Sequence, residues 1–313
     1  MADADRPEAL LDAARDGDRA ALARLLSIVE RGGPEARALG RRTHPMGGTA
    51  YTIGITGAPG SGKSTLTNAL VGRLREGGDR VAVLAIDPSS PFSGGAILGD
   101  RVRMQDHTGD DGVFIRSMAT RGHLGGLSLA TLDAVRALDA VGWPWIVIET
   151  VGVGQVEVEV AGAADTTLVV VNPGWGDAVQ ANKAGLLEIA DVFVVNKADR
   201  PGAAETRRDL ERMLDLTDRA GWRPPVLLTT ATTGDGVPAL GDAIRDHRAH
   251  LERSGALGAR RAARVGDELT RIMGALLHER AIEAAGERLA GVAERVARRD
   301  IDPWSAAEDL LGR

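Results

Sequence analysis

The sequence predicts a doubly wound, mainly parallel α/β sheet with helical extensions at both ends. Seven short apolar runs in the middle of the chain show little polar alternation, as expected of strands covered on both faces. Helical patterns separate these runs, and strand–helix alternation argues for parallel crossovers. On either side of residues 49–255 the texture is helical, without strands. The expected organisation is therefore a helical extension and connector at 1–48, an α/β domain at 49–255 and a helical arm at 256–313.

Taken in order, Leu11, Leu22, Leu25, Leu26 and Val29 form an apolar face over residues 7–31, broken near Gly17 into two helices. RGGPEARALGRRTHPMGG (31–48) reads as a turn-rich connector with a short helical piece. Strands are predicted at 51–57, 80–87, 113–118, 145–152, 166–174, 191–199 and 224–231. Helices are predicted at 63–76, 127–141, 155–163, 178–190, 203–220 and 238–253. Beyond residue 256, Val265, Leu269, Ile272, Met273 and Leu276 recur at helical spacing, and Asp302 caps a last short helix. That stripe fits packing on its own α/β domain and equally an arm that pairs with another subunit.

The 313 residues are 43% hydrophobic and 26% charged, an ordinary globular balance. A net charge of -6 gives no reason to expect a nucleic-acid or anionic-membrane surface. The absence of cysteine excludes disulfides, thiolate metal sites and thiol chemistry. MADADRPEALLDAARDGD lacks the apolar segment of a secretory signal, and no run approaches the ~20 apolar residues of a membrane span. A cytoplasmic location is expected. Lysine occurs only at Lys63, Lys183 and Lys197, every other cationic side chain being arginine or histidine. Lysine persists where the bulkier guanidinium would not serve, which makes each of the three a candidate site residue.

GAPGSGKST (57–65) follows a predicted strand and opens a predicted helix, fitting the phosphate-loop pattern G-x-x-x-x-G-K-[ST]. Gly57, Ala58, Pro59, Gly60, Ser61, Gly62, Lys63, Ser64 and Thr65 are thus candidate nucleotide contacts. Glycines let the backbone curl so that several N–H groups converge on one phosphate at a helix N-terminus. Lys63 neutralises β/γ oxygens and Ser64 offers its hydroxyl to Mg²⁺. NKAD (196–199) closes a later strand at the sheet edge where such folds bind ligands. Its Asp199 can accept hydrogen bonds from guanine N1–H and the exocyclic amine, donors that adenine does not present there. Asn196 braces the loop and Lys197 lies over the purine, so the nucleotide is expected to be GTP or GDP. TTAT (229–232), after the next strand, stands where a second base-contacting loop belongs, with Thr230, Ala231 and Thr232 as candidate contacts.

Glu149 ends the strand WIVIET and precedes T-V-G, placing it at the Walker-B position near Mg²⁺ and the γ-phosphate, with Gly152 as a backbone switch contact. Asp87 and Asp100 are further candidates for metal ligation, directly or through water, and Asp100 for positioning the attacking water. Lys63, Glu149 and Asp100 are the expected catalytic groups. No glutamine follows the switch glycine directly; Gln155 is the nearest. Intrinsic hydrolysis is therefore expected to be slow and completed by a partner, as a trans-acting arginine does elsewhere for roughly 10³–10⁵ in rate. Arg101, Arg103, Arg116 and Arg121 flank the presumed γ-phosphate side.

GAPGSGKST, AIDPSSPFSGGAILGDRVRM, ETVGVGQ and PGWGDAVQANKAGLLEIADVFVVNKAD together resemble the methylmalonyl-CoA mutase-associated GTPases of the MeaB/ArgK type, within the metallochaperone group of P-loop GTPases. The resemblance implies an N-terminal helical extension, a central G domain and a helical arm that forms a homodimer. It implies a chaperone of an adenosylcobalamin-dependent acyl-CoA mutase that gates cofactor delivery and protects the enzyme. It also marks 173–185 as a switch loop, with Asp177, Gln180 and Lys183 as nucleotide or partner contacts. This chain departs from the family's pattern at Trp175, Ala178, Asn182 and Ala184, which bears on the identity of the mutase and leaves the nucleotide motifs untouched.

Other readings share some of these motifs. A nickel-inserting metallochaperone GTPase generally needs Cys/His ligands, and His107, His123 and His278 show no ligand spacing. A P-loop kinase of the kind once labelled a transport-system component requires an acceptor site, and NKAD argues against it. A signal-recognition-type GTPase would carry a Met-rich helical domain, against six methionines here. A binding switch with negligible turnover is the remaining alternative.

Overall fold

The computed structural model describes residues 6–87, 107, 109–119, 129–150, 156–174, 183–216 and 221–312. Seven strands form one sheet: β1 (Tyr51–Gly57), β2 (Val81–Asp87), β3 (Val113–Ala119), β4 (Trp145–Thr150), β5 (Thr166–Val171), β6 (Val192–Asn196) and β7 (Val226–Thr229). Their order is β3-β2-β4-β1-β5-β6-β7, and every pairing is parallel. All seven predicted strands are present. β5, β6 and β7 end before the predicted limits, because the chain leaves the sheet at its C-terminal edge to build ligand-facing loops.

Alternation along the strands divides the core. Ile53, Ile55, Val83, Val147, Leu168, Val170 and Val194 face α4 (Lys63–Arg75) and α9 (Val237–Ser254). On the opposite face, Leu84, Ile86, Ile146 and Ile148 pack against α5 (Leu129–Val141) and α6 (Val156–Ala163). Val169, Val171, Phe193 and Val195 of that face meet α7 (Lys183–Ile189) and α8 (Ala203–Asp215). The strands are thus apolar on both sides, which explains their lack of polar alternation.

The N-terminal extension is a layer of this core. Leu10, Leu11, Leu22, Leu25, Leu26 and Val29 of α1 (Pro7–Arg15) and α2 (Arg19–Arg31) share one cluster with Ala134 and Leu138 of α5. The break at Gly17 is as expected, with Asp18 capping α2 through the N–H groups of Ala20 and Ala21. The connector is more helical than its glycines and prolines suggest: α3 (Gly33–Thr43) starts with Pro34 in its first turn and buries Ala36 and Leu39. Arg116 of β3 pairs with Glu30 at 2.9 Å and donates to the Ser27 hydroxyl at 3.1 Å, tying α2 to the edge strand. That commitment removes Arg116 from the candidate arginine fingers.

The N-terminal edge of the sheet, remote from the strand ends that carry the motifs, holds a buried polar cluster. The Asp191 carboxylate accepts from the Thr167 N–H at 2.9 Å and from both terminal nitrogens of Arg260 at 2.9 and 3.0 Å. His247 is fully buried beside it, its Nε2 3.3 Å from Asp191 Oδ1 and its Nδ1 2.9 Å from the Thr166 hydroxyl. Tyr51 closes the chain with its hydroxyl 2.7 Å from that of Thr166. Burial holds the imidazole well below its ordinary value, at about 4 against 6.5; the Asp191 charge opposes the shift and that of Arg260 adds to it.

His247 stays neutral in the fold while the unfolded chain protonates, so its contribution is fully present above about pH 6.5 and is lost as pH falls toward 4. A gap of this size corresponds to about 3 kcal/mol. Urea unfolding of the whole chain at pH 7 and 4.5 should show that loss, and His247→Gln should flatten it. An unchanged pH profile in the variant would contradict the assignment.

The chain forms two compact units, Met1–Arg260 and Arg261–Arg313. The second contains most of α10 (Ala256–Ala285), then α11 (Arg288–Ala297) and α12 (Pro303–Leu311). It buries Ala285, Val292 and Ala306, whereas Val265, Leu269, Met273 and Leu277 are 47–61% exposed. Asp302 caps α12 as expected, accepting from the Trp304 and Ser305 N–H groups at 2.9 and 3.0 Å. Among the described residues, no helix is long and apolar enough to cross a membrane.

Candidate nucleotide site

β1 lies in the middle of the sheet and ends in the phosphate loop. Gly57 has φ +133°, and a Cβ there would stand 2.0 Å from the Val170 carbonyl oxygen, so only glycine fits. Gly62 caps α4 at φ +87°, and a Cβ on it would meet the Asn196 amide nitrogen at 2.5 Å. The loop thus curls tightly between β5 and β6 and delivers the N-terminus of α4 to its mouth, where backbone N–H groups favour an anion. Lys63 is 6% exposed, its ammonium donating to the Gly57 and Ala58 carbonyls at 2.7 and 3.0 Å. That geometry pre-positions a compact cation over the loop.

Ser64, in the first turn of α4, donates its hydroxyl to Glu149 Oε1 at 2.5 Å. Glu149 is 1% exposed near the end of β4 and in register with Ile55 of β1. A hydroxyl and a carboxylate converging beside a phosphate loop are hard oxygen donors of the kind Mg²⁺ takes, together with several waters. The pair fits that ion: Ser64 and Glu149 would hold it, and it would neutralise charge developing on the phosphate oxygens. The backbone places Asp87 at the same sheet edge, where β2 neighbours β4.

The loops that follow β6 and β7 are braced against the phosphate loop. Asn196 is 2% exposed and its Nδ2 donates to the Ser61 carbonyl at 2.8 Å. Its Oδ1 accepts from the Thr229 hydroxyl and the Ala231 N–H, both at 3.1 Å. Lys197 adopts φ +60° and reaches back to the Gly60 carbonyl at 2.6 Å. Asp199 stands exposed beyond the end of β6. Thr230 pairs with Asp235 across a tight turn, its N–H 2.9 Å from the Asp235 carbonyl, and Thr232 is exposed on it.

The fold therefore gathers Gly57–Thr65, Glu149, Asn196, Lys197, Asp199 and the 230–232 loop at one edge. Asp100, Gly152, Gln155, Asp177 and Gln180 lie outside the described residues, as do Arg101, Arg103 and Arg121. Lys183 begins α7. Thr229, read from the sequence only as the first residue of the TTAT stretch, orients Asn196 through its hydroxyl.

A family model described as methylmalonyl Co-A mutase-associated GTPase MeaB matches residues 22–305. A Pyrococcus abyssi protein is 50% identical over 308 residues, covering 96% of this chain and 95% of that protein. The GTPase ArgK of Escherichia coli is 39% identical over 252 residues, covering 78% of this chain and 76% of its own. A crystal structure described as a LAO/AO transport system kinase superposes with a TM-score of 0.73 at 26% identity, covering 100% of this chain and 98% of that one. With the G-x-x-x-x-G-K-S loop, Glu149 and the N-K-x-D sequence at one edge of the sheet, the chain belongs to the methylmalonyl-CoA mutase-associated GTPase family of the MeaB/ArgK type, P-loop proteins that hydrolyse GTP.

Proposed function

We propose that this GTPase is a chaperone of an adenosylcobalamin-dependent acyl-CoA mutase, methylmalonyl-CoA mutase or a close relative, gating cofactor delivery and protecting the enzyme. In this reading GTP or GDP binds with Mg²⁺ through Gly57–Thr65, Glu149 and Asp87, with Asp100 aligning water. Asn196, Lys197, Asp199 and Thr230–Thr232 select guanine. Gly152, Asp177, Gln180 and Lys183 report the nucleotide state to the client. The protein works in the cytoplasm as a homodimer.

The observation that carries the reading is the match of 22–305 to a family described by its association with that mutase. The exposed Val265, Leu269, Met273 and Leu277 support pairing of the arm with a second copy, since such a stripe is costly to leave in water. Slow intrinsic turnover is supported by the lack of a glutamine directly after the switch glycine. The chain should co-elute with a mutase from the same source when loaded with a non-hydrolysable GTP analogue or with GDP, the two complexes differing in stability. Absence of a complex in every nucleotide state would refute the partnership.

A further inference from the structure

Asn172 stands one residue beyond β5, between the phosphate loop and the base motif. Register fixes this: Gly57 pairs with Val170 and Val171 with Val195, so the next step sets Asn172 beside Asn196. Alternation fixes its face. Leu168 and Val170 pack with Leu66 and Leu70 of α4, whereas Val169 and Val171 pack on the other side. Position 172 therefore falls on the α4 face, where Asn196 bonds the Ser61 carbonyl.

Two polar atoms in this neighbourhood are idle. Asn172 Oδ1 and the Ser61 hydroxyl are both sealed from solvent, and neither has a hydrogen-bond partner among the described residues. Asparagine is a poor residue with which to follow the apolar run TTLVVV, and leaving its buried oxygen unpaired costs stability. Unsatisfied buried groups in an otherwise consistent core concentrate at functional positions. One of the two atoms is an acceptor, and the other belongs to a hydroxyl that can donate.

We propose that Asn172 is a positioning residue of the nucleotide site: when the loop closes on a phosphate, the Ser61 hydroxyl donates to Asn172 Oδ1 and ties the phosphate loop to the ends of β5 and β6. The bond is made only in the loaded state, so it slows nucleotide release without stabilising the empty protein. This inference rests on the nucleotide site proposed above.

The test is release of a fluorescent GDP from the wild type, Asn172→Val, Ser61→Ala and the double variant, with melting temperatures measured with and without GDP. Each single substitution should speed release roughly five- to tenfold, the worth of one hydrogen bond. The double variant should release no faster than the faster single, because one interaction is removed once. The melting temperature of nucleotide-free Asn172→Val should hold or rise, while its gain on adding GDP shrinks. Unchanged release, or effects that multiply in the double variant, would overturn the inference while leaving the GDP site in place. A wild type that binds no GDP would instead overturn the site itself, and the inference with it.

Discussion

Glu149→Gln is expected to lower GTP turnover by a factor on the order of 10²–10³ while leaving the fold intact, the usual penalty for removing one preorganised electrostatic group. Glutamine has the same reach and can still accept from the Ser64 hydroxyl, now 2.5 Å from Oε1. What disappears is the charge. On the proposed reading Ser64 and Glu149 would hold Mg²⁺, and an amide oxygen is a weaker ligand than a carboxylate for a hard divalent ion. GDP binding without Mg²⁺ should change little, whereas the Mg²⁺-dependent part of GTP affinity should fall. Single-turnover hydrolysis across a Mg²⁺ titration measures both. Turnover within about threefold of the wild type would remove Glu149 from the metal site.

Asp199→Asn should change the preferred base. Guanine presents N1–H and an exocyclic amine, both donors, and a carboxylate accepts both. Asparagine offers one acceptor and one donor, so its N–H₂ group would face the guanine amine. Xanthine carries a carbonyl where guanine carries the amine and matches the substituted side chain. The preference for GTP over xanthosine triphosphate should therefore shift by on the order of 10⁴-fold, the range seen when a polar site meets an analogue with the wrong group. The exposure of Asp199 and its absence from the buried bracing contacts mean that folding should be unaffected. Competition binding with GTP, xanthosine triphosphate and ATP reads the result. Unaltered selectivity would place base recognition elsewhere.

The parts of this site that were legible in the sequence are those whose chemistry is local. Gly57, Gly62, Lys63 and Ser64 must stand at fixed spacing because one turn of backbone has to curl around one phosphate. Asn196, Lys197 and Asp199 follow one strand end because a single short loop has to carry all three. The alternation of apolar runs and helices gave the fold because strands buried on both faces cannot tolerate polar positions.

What escaped the sequence depends on register between strands distant along the chain. Thr229 matters because β7 lies beside β6 and sets its hydroxyl against Asn196. Asp191, His247 and Arg260 meet only because β6, α9 and α10 begin or end at the same edge of the sheet. Arg116 read as a phosphate-side cation, and the edge strand instead turns it toward Glu30. The glycines and prolines of 31–48 suggested a turn-rich connector with only a short helical piece, yet the apolar Ala36 and Leu39 had a layer to bury against and α3 spans Gly33–Thr43.

On the proposed reading, the active site of this GTPase is finished by its client. Steady-state turnover of GTP and ATP by the purified chain, alone and with an adenosylcobalamin-dependent acyl-CoA mutase from the same source, tests it most directly. Slow GTP turnover that rises severalfold with the mutase, without use of ATP, is the expected result. GTP turnover indifferent to every such mutase would contradict it.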